Sequence, residues 1–273
     1  MNGEIAAFFE GRKIEYYSVL DYGDCLETNA RIMKRESFIP KSVIIFLIPY
    51  FVSQPKNLSA YAASEDYHLI IGELTEGLMS KLRAVYPDNS FRGYGDHSPI
   101  DERAAAISAG LGILGDSGLL INEKYGTYTF IADIVTDIPP ELLGAKRPAP
   151  VRNCSHCGLC KRVCPTGIIR GEGEVCLSAV TQRKGELSEN EIELMRKCNT
   201  VWGCDLCQTA CPHNKNPKKT PIDFFYRDRI EELTADVLLS LDEEAFARRA
   251  FAWRGRKTVE RNLAYLDSQG RES

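Results

Sequence analysis

Long hydrophobic runs are missing from this chain. The longest, Val43 to Pro49, is far too short to cross a bilayer, and the opening MNGEIAAFFEGRK lacks the basic-then-apolar layout of an export signal. The expectation is a cytoplasmic protein with no membrane partner. Net charge is also small: 34 Lys plus Arg against 38 Asp plus Glu leave −4, which excludes a globally basic nucleic-acid coat, so any nucleic-acid contact must be local. There is no internal repeat, no P-loop, no H-E-x-x-H and no G-x-S-x-G, so several common catalytic signatures are excluded. With 44% hydrophobic residues over 273 positions the chain still has enough apolar surface for a real core.

What the chain has in excess is cysteine. Cys25 stands alone, while the other nine of the ten fall between Cys154 and Cys211. A reducing cytosol does not sustain a disulfide framework, so the cluster reads as metal-binding, and Cys25 reads as a small buried apolar residue. Cys154-x2-Cys157-x2-Cys160-x3-Cys164-Pro165 is the bacterial ferredoxin run, in which three thiolates hold one 4Fe-4S cluster and the fourth crosses to another. Cys204-x2-Cys207-x3-Cys211-Pro212 is the same run with Val201 in place of its first cysteine. By the crossing rule one cluster takes Cys154, Cys157, Cys160 and Cys211, and the second takes Cys164, Cys204, Cys207 and one more. Spacing leaves Cys176 and Cys198 both open for that last position. Structural zinc on the C-x2-C pairs fits poorly, because zinc sites do not usually chain seven cysteines with two Cys-Pro endings.

Residues 1 to 150 alternate helix-like and strand-like stretches, which predicts an α/β (α+β) domain. Glu4 to Phe9 is a short amphipathic stretch, and Ser42 to Ile48, ended by Pro49, reads as a central strand covered on both faces. Apolar residues at Leu69, Ile70, Leu74, Leu78 and Leu82 predict a helix over 66–85. Ser98-Pro99-Ile100-Asp101 offers a capping hydroxyl, a proline at the first helical position and an acid at the third, so a helix is expected from Pro99 to about Ala109. Leu119 to Asn122 and Tyr128 to Val135 look like a strand pair joined around Tyr125-Gly126. Pro139-Pro140 and the proline-rich 146–150 then suggest a break, giving a cysteine-rich ferredoxin-like domain over 151–220 and a helical segment over 221–273. Gly110-Leu-Gly-Ile-Leu-Gly115 matches G-x-G-x-x-G, but a helical stretch precedes it and a strand follows, the reverse of a dinucleotide fold.

Taken together, Lys41-Ser-Val-Ile, Tyr61-Ala with Asp66-Tyr-His68, Asp96-x-x-Pro99-x-x-Glu102-Arg103, Ala109-Gly-Leu-Gly112 and Leu119-Leu-Ile-Asn122 resemble epoxyqueuosine reductase in order and spacing. Cys176-Leu-Ser, Trp202-Gly-Cys-Asp-x-Cys-Gln208 and Leu239 to Phe246 with Arg261-Asn262 agree, over about residues 37 to 266. The resemblance implies an oxidoreductase with two 4Fe-4S clusters and a cobalamin held between the α/β and ferredoxin-like domains. The expected reaction removes the epoxide oxygen of epoxyqueuosine in a transfer RNA anticodon to give queuosine. It makes Asp96, in Asp96-His-Ser-Pro99, the proton donor, with Tyr67, His68, Asp96, Ser98, Gly110, Gly112, Leu114 and Asn122 as cobalamin contacts and Cys176 as the last ligand of the second cluster. Asp96 could otherwise serve only to satisfy backbone N–H groups before a helix. His97 is the alternative donor or cobalt ligand, and Glu102 with Arg103 reads as an ion pair or site wall.

The chain stops soon after Asn262, where the family usually continues into a helical-repeat region that helps hold transfer RNA, so a short form is expected. Six basic and two aromatic residues lie over 248–261, Arg248, Arg249, Phe251, Trp253, Arg254, Arg256, Lys257 and Arg261, and such a patch can neutralise phosphates and stack a base or be a solvated helix face. Lys146 to Arg170 is basic throughout and can balance negative clusters or dock an acidic, low-potential electron donor such as ferredoxin or flavodoxin. The reading from a different class is a ferredoxin-like electron carrier without substrate chemistry. It leaves about 150 residues before the clusters without a purpose.

Overall fold

The computed structural model describes residues 3–267. Strand β2 (Ser42–Pro49) is buried at every position, as its unbroken apolar run requires, because it has a partner on each side. It pairs antiparallel with β1 (Tyr17–Asp21), Val19 opposite Ile44, and with β6 (Thr129–Thr136), Ile44 opposite Ile134. Strand β3 (Phe91–Tyr94) pairs on the far side of β6, giving the order β1-β2-β6-β3 with every pairing antiparallel. One face, through Leu20, Val43, Ile45, Leu47 and Val135, packs on Ala105, Ala106 and Ile107 of α4 (Glu102–Ser108). On the other face Phe9 of α1 (Gly3–Gly11) meets Phe46 with ring centroids 4.9 Å apart. Gly93 is where α3 (Tyr67–Val85) crosses β3, since a Cβ there would lie 2.6 Å from the Thr75 Cβ. Two short helices, α2 (Ala30–Met33) and α5 (Pro140–Leu143), complete this part.

Two expectations change. The helix expected from Pro99 begins at Glu102, and its cap is Asp101, whose carboxylate accepts the Arg103 and Ala104 N–H groups. The Pro99 carbonyl accepts instead from Thr28 and Asn29 N–H, and Ile100 bridges to Glu27, so 99–100 stay extended and Ser98 turns into the interior. The expected pairing of Leu119–Asn122 with Tyr128–Val135 is replaced: Asn122 bridges to Gly126, in the turn between the two stretches. Strand β5 (Leu120–Ile121) pairs with β4 (Ile113–Leu114), while β6 is taken by β2 and β3.

The chain divides into two compact units that do not follow the linear order expected above: 1–49 with 68–156, and 50–67 with 157–273. In the second unit α6 (Leu159–Val163) packs on α9 (Leu206–Thr209), and α7 (Leu177–Gln182) on α8 (Glu189–Lys197). Helices α10 (Ala235–Ser240), α11 (Glu243–Ala247) and α12 (Arg256–Asp267) close a core around Trp202, Phe251, Leu233 and Val201. The valine in place of a cysteine is thus fully buried in that core. The 50–67 segment is tied down by Ser59 N–H to the Trp202 carbonyl and Val201 N–H to the Asn57 carbonyl, both 2.8 Å. No helix among the described residues is long and apolar enough to cross a membrane.

Candidate cluster-binding and catalytic sites

Several thiols of the cysteine segment lie on short helices or at their caps. Cys160 lies on α6 and Cys164 caps its C-terminus, Cys176 caps the N-terminus of α7, and Cys207 lies on α9. All ten cysteines are free thiols. Burial pushes the Cys207 thiol up to about 12, and the charges of Cys204, Cys176, Asp205 and Cys164 push it the same way. Burial likewise raises Cys204 to about 12, with Cys176, Asp205 and then Cys198 adding to the rise. Thiols that disfavour one another's ionisation share one locality, and a thiolate-ligated cluster is what relieves that cost. Cys164, Cys176 and Cys204 thus lie close enough to bear on the ionisation of Cys207. Cys198, at the end of α8, packs against the apolar group of Leu177, Val180 and Ile192. Cys25 is half-buried against the sheet core, and burial first, then nearby aspartates, push it up to about 12, in keeping with an inert thiol.

Asp205, between two cysteines of the second motif, was singled out by no spacing argument. It is buried, and its carboxylate accepts the Ser59 hydroxyl, Ala60 N–H at 2.6 Å, Gln208 Nε2 at 2.7 Å and Gln54 Nε2 at 3.2 Å. It locks the 50–67 segment to α9. Beside it Gly203 has φ +78°, and a Cβ there would lie 2.4 Å from the Ser59 Cβ, so only glycine fits.

In the first unit a cavity of about 640 Å³ opens between the 96–103 segment and β5–β6. Leu119, Leu120, Phe130 and Ile131 give it an apolar wall, and Asp96, Ser98 and Glu102 supply polar groups. Asp96 has φ +70°, uncommon for a residue with a side chain, and its N–H donates to Glu102 Oε1 at 3.2 Å. Asp96 Oδ2 lies 3.5 Å from His68 Nε2 on α3, both side chains about half exposed. Burial, then the Asp96 charge, push Glu102 up to about 7. Below the turn Asp133 of β6 is fully buried and held well above the usual carboxylate range by desolvation, then by Glu102, with a Ser98 hydrogen bond opposing.

The remaining expected cofactor contacts are distributed more widely. Tyr67 stacks edge-on against Tyr61 with centroids 6.0 Å apart. Gly110 has φ +75° at the end of α4, and a Cβ on Gly112 would lie 2.7 Å from the Ile121 carbonyl oxygen, so both glycines have backbone reasons to be there. Leu114 joins β4 to the start of the cysteine run, its N–H on the Arg152 carbonyl and its carbonyl accepting Cys154 N–H, both 2.9 Å. Asn122 is buried, donating to the Leu111 carbonyl at 2.8 Å and accepting from Lys124 and Tyr125 N–H. Its side chain ties loops together.

The basic stretch over 248–261 is largely committed within the protein. Arg248 pairs with Glu65, buried Arg249 donates to the Asp228 and Ala63 carbonyls, Arg256 to those of Leu238 and Leu241, and Arg261 to that of Arg183. Phe251 is core, whereas Trp253 is 58% exposed with the Arg254 guanidinium 3.7 Å from its ring centroid. Trp253 and Lys257 are exposed, and Arg254 lies over the Trp253 ring.

Taken together, a mixed α/β unit and a cysteine-rich unit define an iron-sulfur protein. Residues 153–214 match the model of a 4Fe-4S double cluster binding domain. The Gloeobacter violaceus epoxyqueuosine reductase is 32% identical over 225 residues, covering 76% of this chain and 69% of the relative. The Listeria monocytogenes epoxyqueuosine reductase is 33% identical over 215 residues, 74% of this chain and 54% of the relative. A crystal structure of an epoxyqueuosine reductase with an epoxyqueuosine-modified tRNA-Tyr stem loop has a TM-score of 0.78 at 21% identity, covering 97% of this chain and 80% of that one. The chain belongs to the epoxyqueuosine reductase family. It spans little more than half the length of the Listeria relative.

Proposed function

We propose that this chain is a cobalamin- and iron-sulfur-dependent reductase that converts epoxyqueuosine to queuosine in transfer RNA. The observation that carries the reading is the Asp96 turn at the cavity of the first unit, in a chain whose second unit gathers Cys164, Cys176 and Cys204 near Cys207. Removing an epoxide oxygen as water consumes two electrons and two protons and leaves a carbon–carbon double bond. When bound, the clusters and cobalamin supply the electrons.

The protons fall to the protein. Asp96, in its acid form, gives a proton to the oxygen as the first carbon–oxygen bond breaks, so that a hydroxyl rather than an oxyanion forms. A second proton, taken up from solvent through the same half-exposed carboxyl, lets that hydroxyl leave as water when the second bond breaks. His68, 3.5 Å away, orients the Asp96 carboxyl. Leu119, Leu120, Phe130 and Ile131 give the cavity an apolar wall against which one face of a flat macrocycle could lie, while Asp96 stays about half exposed. We assign Cys154, Cys157, Cys160 and Cys211 to one cluster and Cys164, Cys176, Cys204 and Cys207 to the other. The thiol electrostatics support Cys176, which acts on both Cys204 and Cys207 and outranks Cys198 in its effect on Cys204. A low-potential carrier such as ferredoxin or flavodoxin is the fitting donor, and Trp253 with Arg254 is the surface suited to stacking an RNA base.

The test is anaerobic reconstitution with iron, sulfide and cobalamin, then incubation with a chemical reductant and epoxyqueuosine-containing transfer RNA and nucleoside mass spectrometry. Queuosine and a corrin band beyond the cluster absorbance are expected. A protein that takes up clusters but shows no corrin band is an electron carrier, and the proposal falls.

A further inference from the structure

The carboxyl groups around the Asp96 turn are more numerous than one proton donor needs. Asp96 and Asp101 act on Glu102, Glu102 acts on Asp133, and Arg103 is the opposing cation, with His97 on the same cavity wall. Among them Glu102 has a defined task in the geometry. It stands at the start of α4, whose position is set by the Asp101 cap and by Ala105, Ala106 and Ile107 in the core, so its carboxylate projects from a fixed element. From there it accepts the N–H of Asp96, six residues earlier. Asp96 adopts a left-handed conformation that is disfavoured for an L side chain, so something must hold it.

We infer that Glu102 is a positioning residue for Asp96, a latch that holds the left-handed turn firmly when its carboxylate is ionised and loosely when it is protonated. The inference rests on the reading of Asp96 as proton donor. An ionised acceptor makes a hydrogen bond about twice as strong as a neutral one. Reciprocity gives the sign: the Asp96 N–H lowers the pKa of Glu102, opposing the larger effect of burial, so ionising Glu102 must strengthen that bond equally. Because Glu102 titrates near about 7, the latch changes state within the working range of a neutral-pH enzyme. Asp96 and Glu102 also repel when both are ionised. Loss of the Asp96 proton during turnover therefore favours a proton on Glu102 and loosens the turn after the acid has been used.

Hydrogen–deuterium exchange of the anaerobically reconstituted protein, read as the protection factor of the 94–100 segment between pH 5.5 and 8.5, tests this without turnover. Wild type should gain about fivefold protection on going up through neutral pH. Glu102→Gln should show a flat, intermediate protection, and Glu102→Ala a flat and low one, with iron content and β2 protection unchanged in both. Asp96→Asn should keep the pH dependence with its midpoint moved down, because the repelling charge is gone. Equal protection in wild type and Glu102→Ala, or a surviving pH dependence in Glu102→Gln, overturns the latch. Full turnover by Asp96→Asn would instead overturn the proton-donor reading while the exchange data stood.

Discussion

The strongest structural prediction concerns Asp205, a buried carboxylate in the second cysteine motif whose four donors come from Gln54, Ser59, Ala60 and Gln208. Asp205→Ala removes the acceptor and leaves the Ser59 hydroxyl, the Ala60 N–H and the Gln208 amide without a partner. Each buried orphan costs about 1–3 kcal/mol. Partial relaxation and water entry bring the sum to about 3–5 kcal/mol, a large part of the roughly 5–15 kcal/mol that keeps a domain folded. Asp205→Asn retains one acceptor oxygen but places an amide donor against donors, so it should lose about half as much. The assay is anaerobic urea unfolding of reconstituted protein, with circular dichroism and cluster absorbance followed together. For a slope of about 3 kcal/mol per molar, the alanine variant should unfold about 1–1.7 M earlier. Cluster absorbance should fall with the protein signal, because Asp205 anchors the element that carries Cys207. A shift below about 0.3 M would refute the claim that this carboxylate locks the 50–67 segment onto the cluster-bearing helix.

Cys176→Ala should leave about four iron per chain where wild type holds about eight, while Cys198→Ala keeps eight, and the reverse pattern by iron assay would exchange their roles. Asp96→Asn should retain iron and cobalamin yet lose about 100-fold or more in turnover, so a fully active variant excludes Asp96 as the acid. Burial raises Glu102 from 4.5 to about 7, so the folded state binds its proton more tightly than the unfolded chain. Stability from this group is present below about pH 4.5 and is lost as pH rises to about 7, and Glu102→Gln should flatten that part of a pH series of urea midpoints. Gly203→Ala forces a Cβ to within 2.4 Å of the Ser59 Cβ at φ +78° and should cost more than about 2 kcal/mol by the same unfolding assay, since backbone strain and overpacking add.

How far the sequence could be read depended on whether a feature was local. The central strand and the helix over 67–85 were legible because each carries its own periodicity over many residues, and burial of β2 on all sides follows from its composition. Partnership was not legible. Strand β6 pairs with β2, more than eighty residues earlier in the chain, and nothing in Tyr128 to Val135 says whether its neighbour is the next strand or a distant one. The start of α4 misled for a related reason. Ser98-Pro99 has the chemistry of a helix start, but the Pro99 carbonyl is claimed by Thr28 and Asn29, and a long-range claim of this kind overrides a local capping preference.

The same distinction runs through the sites. The double-cluster segment is legible because ferredoxin spacing is a local rule, and that rule is silent on an eighth ligand, because the second motif has Val201 in place of its first cysteine. The fold has put that valine to other use, buried beside Trp202 in a core that a polar thiolate-bound cluster could not occupy. A ligand displaced from a motif must therefore come from an element the motif does not contain, and the cap of α7 brings Cys176 within electrostatic reach of both Cys204 and Cys207. The basic stretch shows the opposite failure. Sequence counts charges without knowing their partners, and Arg249 and Arg256 spend theirs on backbone carbonyls. Charge is evidence for a nucleic-acid surface only where the backbone has not already claimed it, which leaves Trp253, Arg254 and Lys257 as the residues whose substitution should weaken RNA binding with the fold intact.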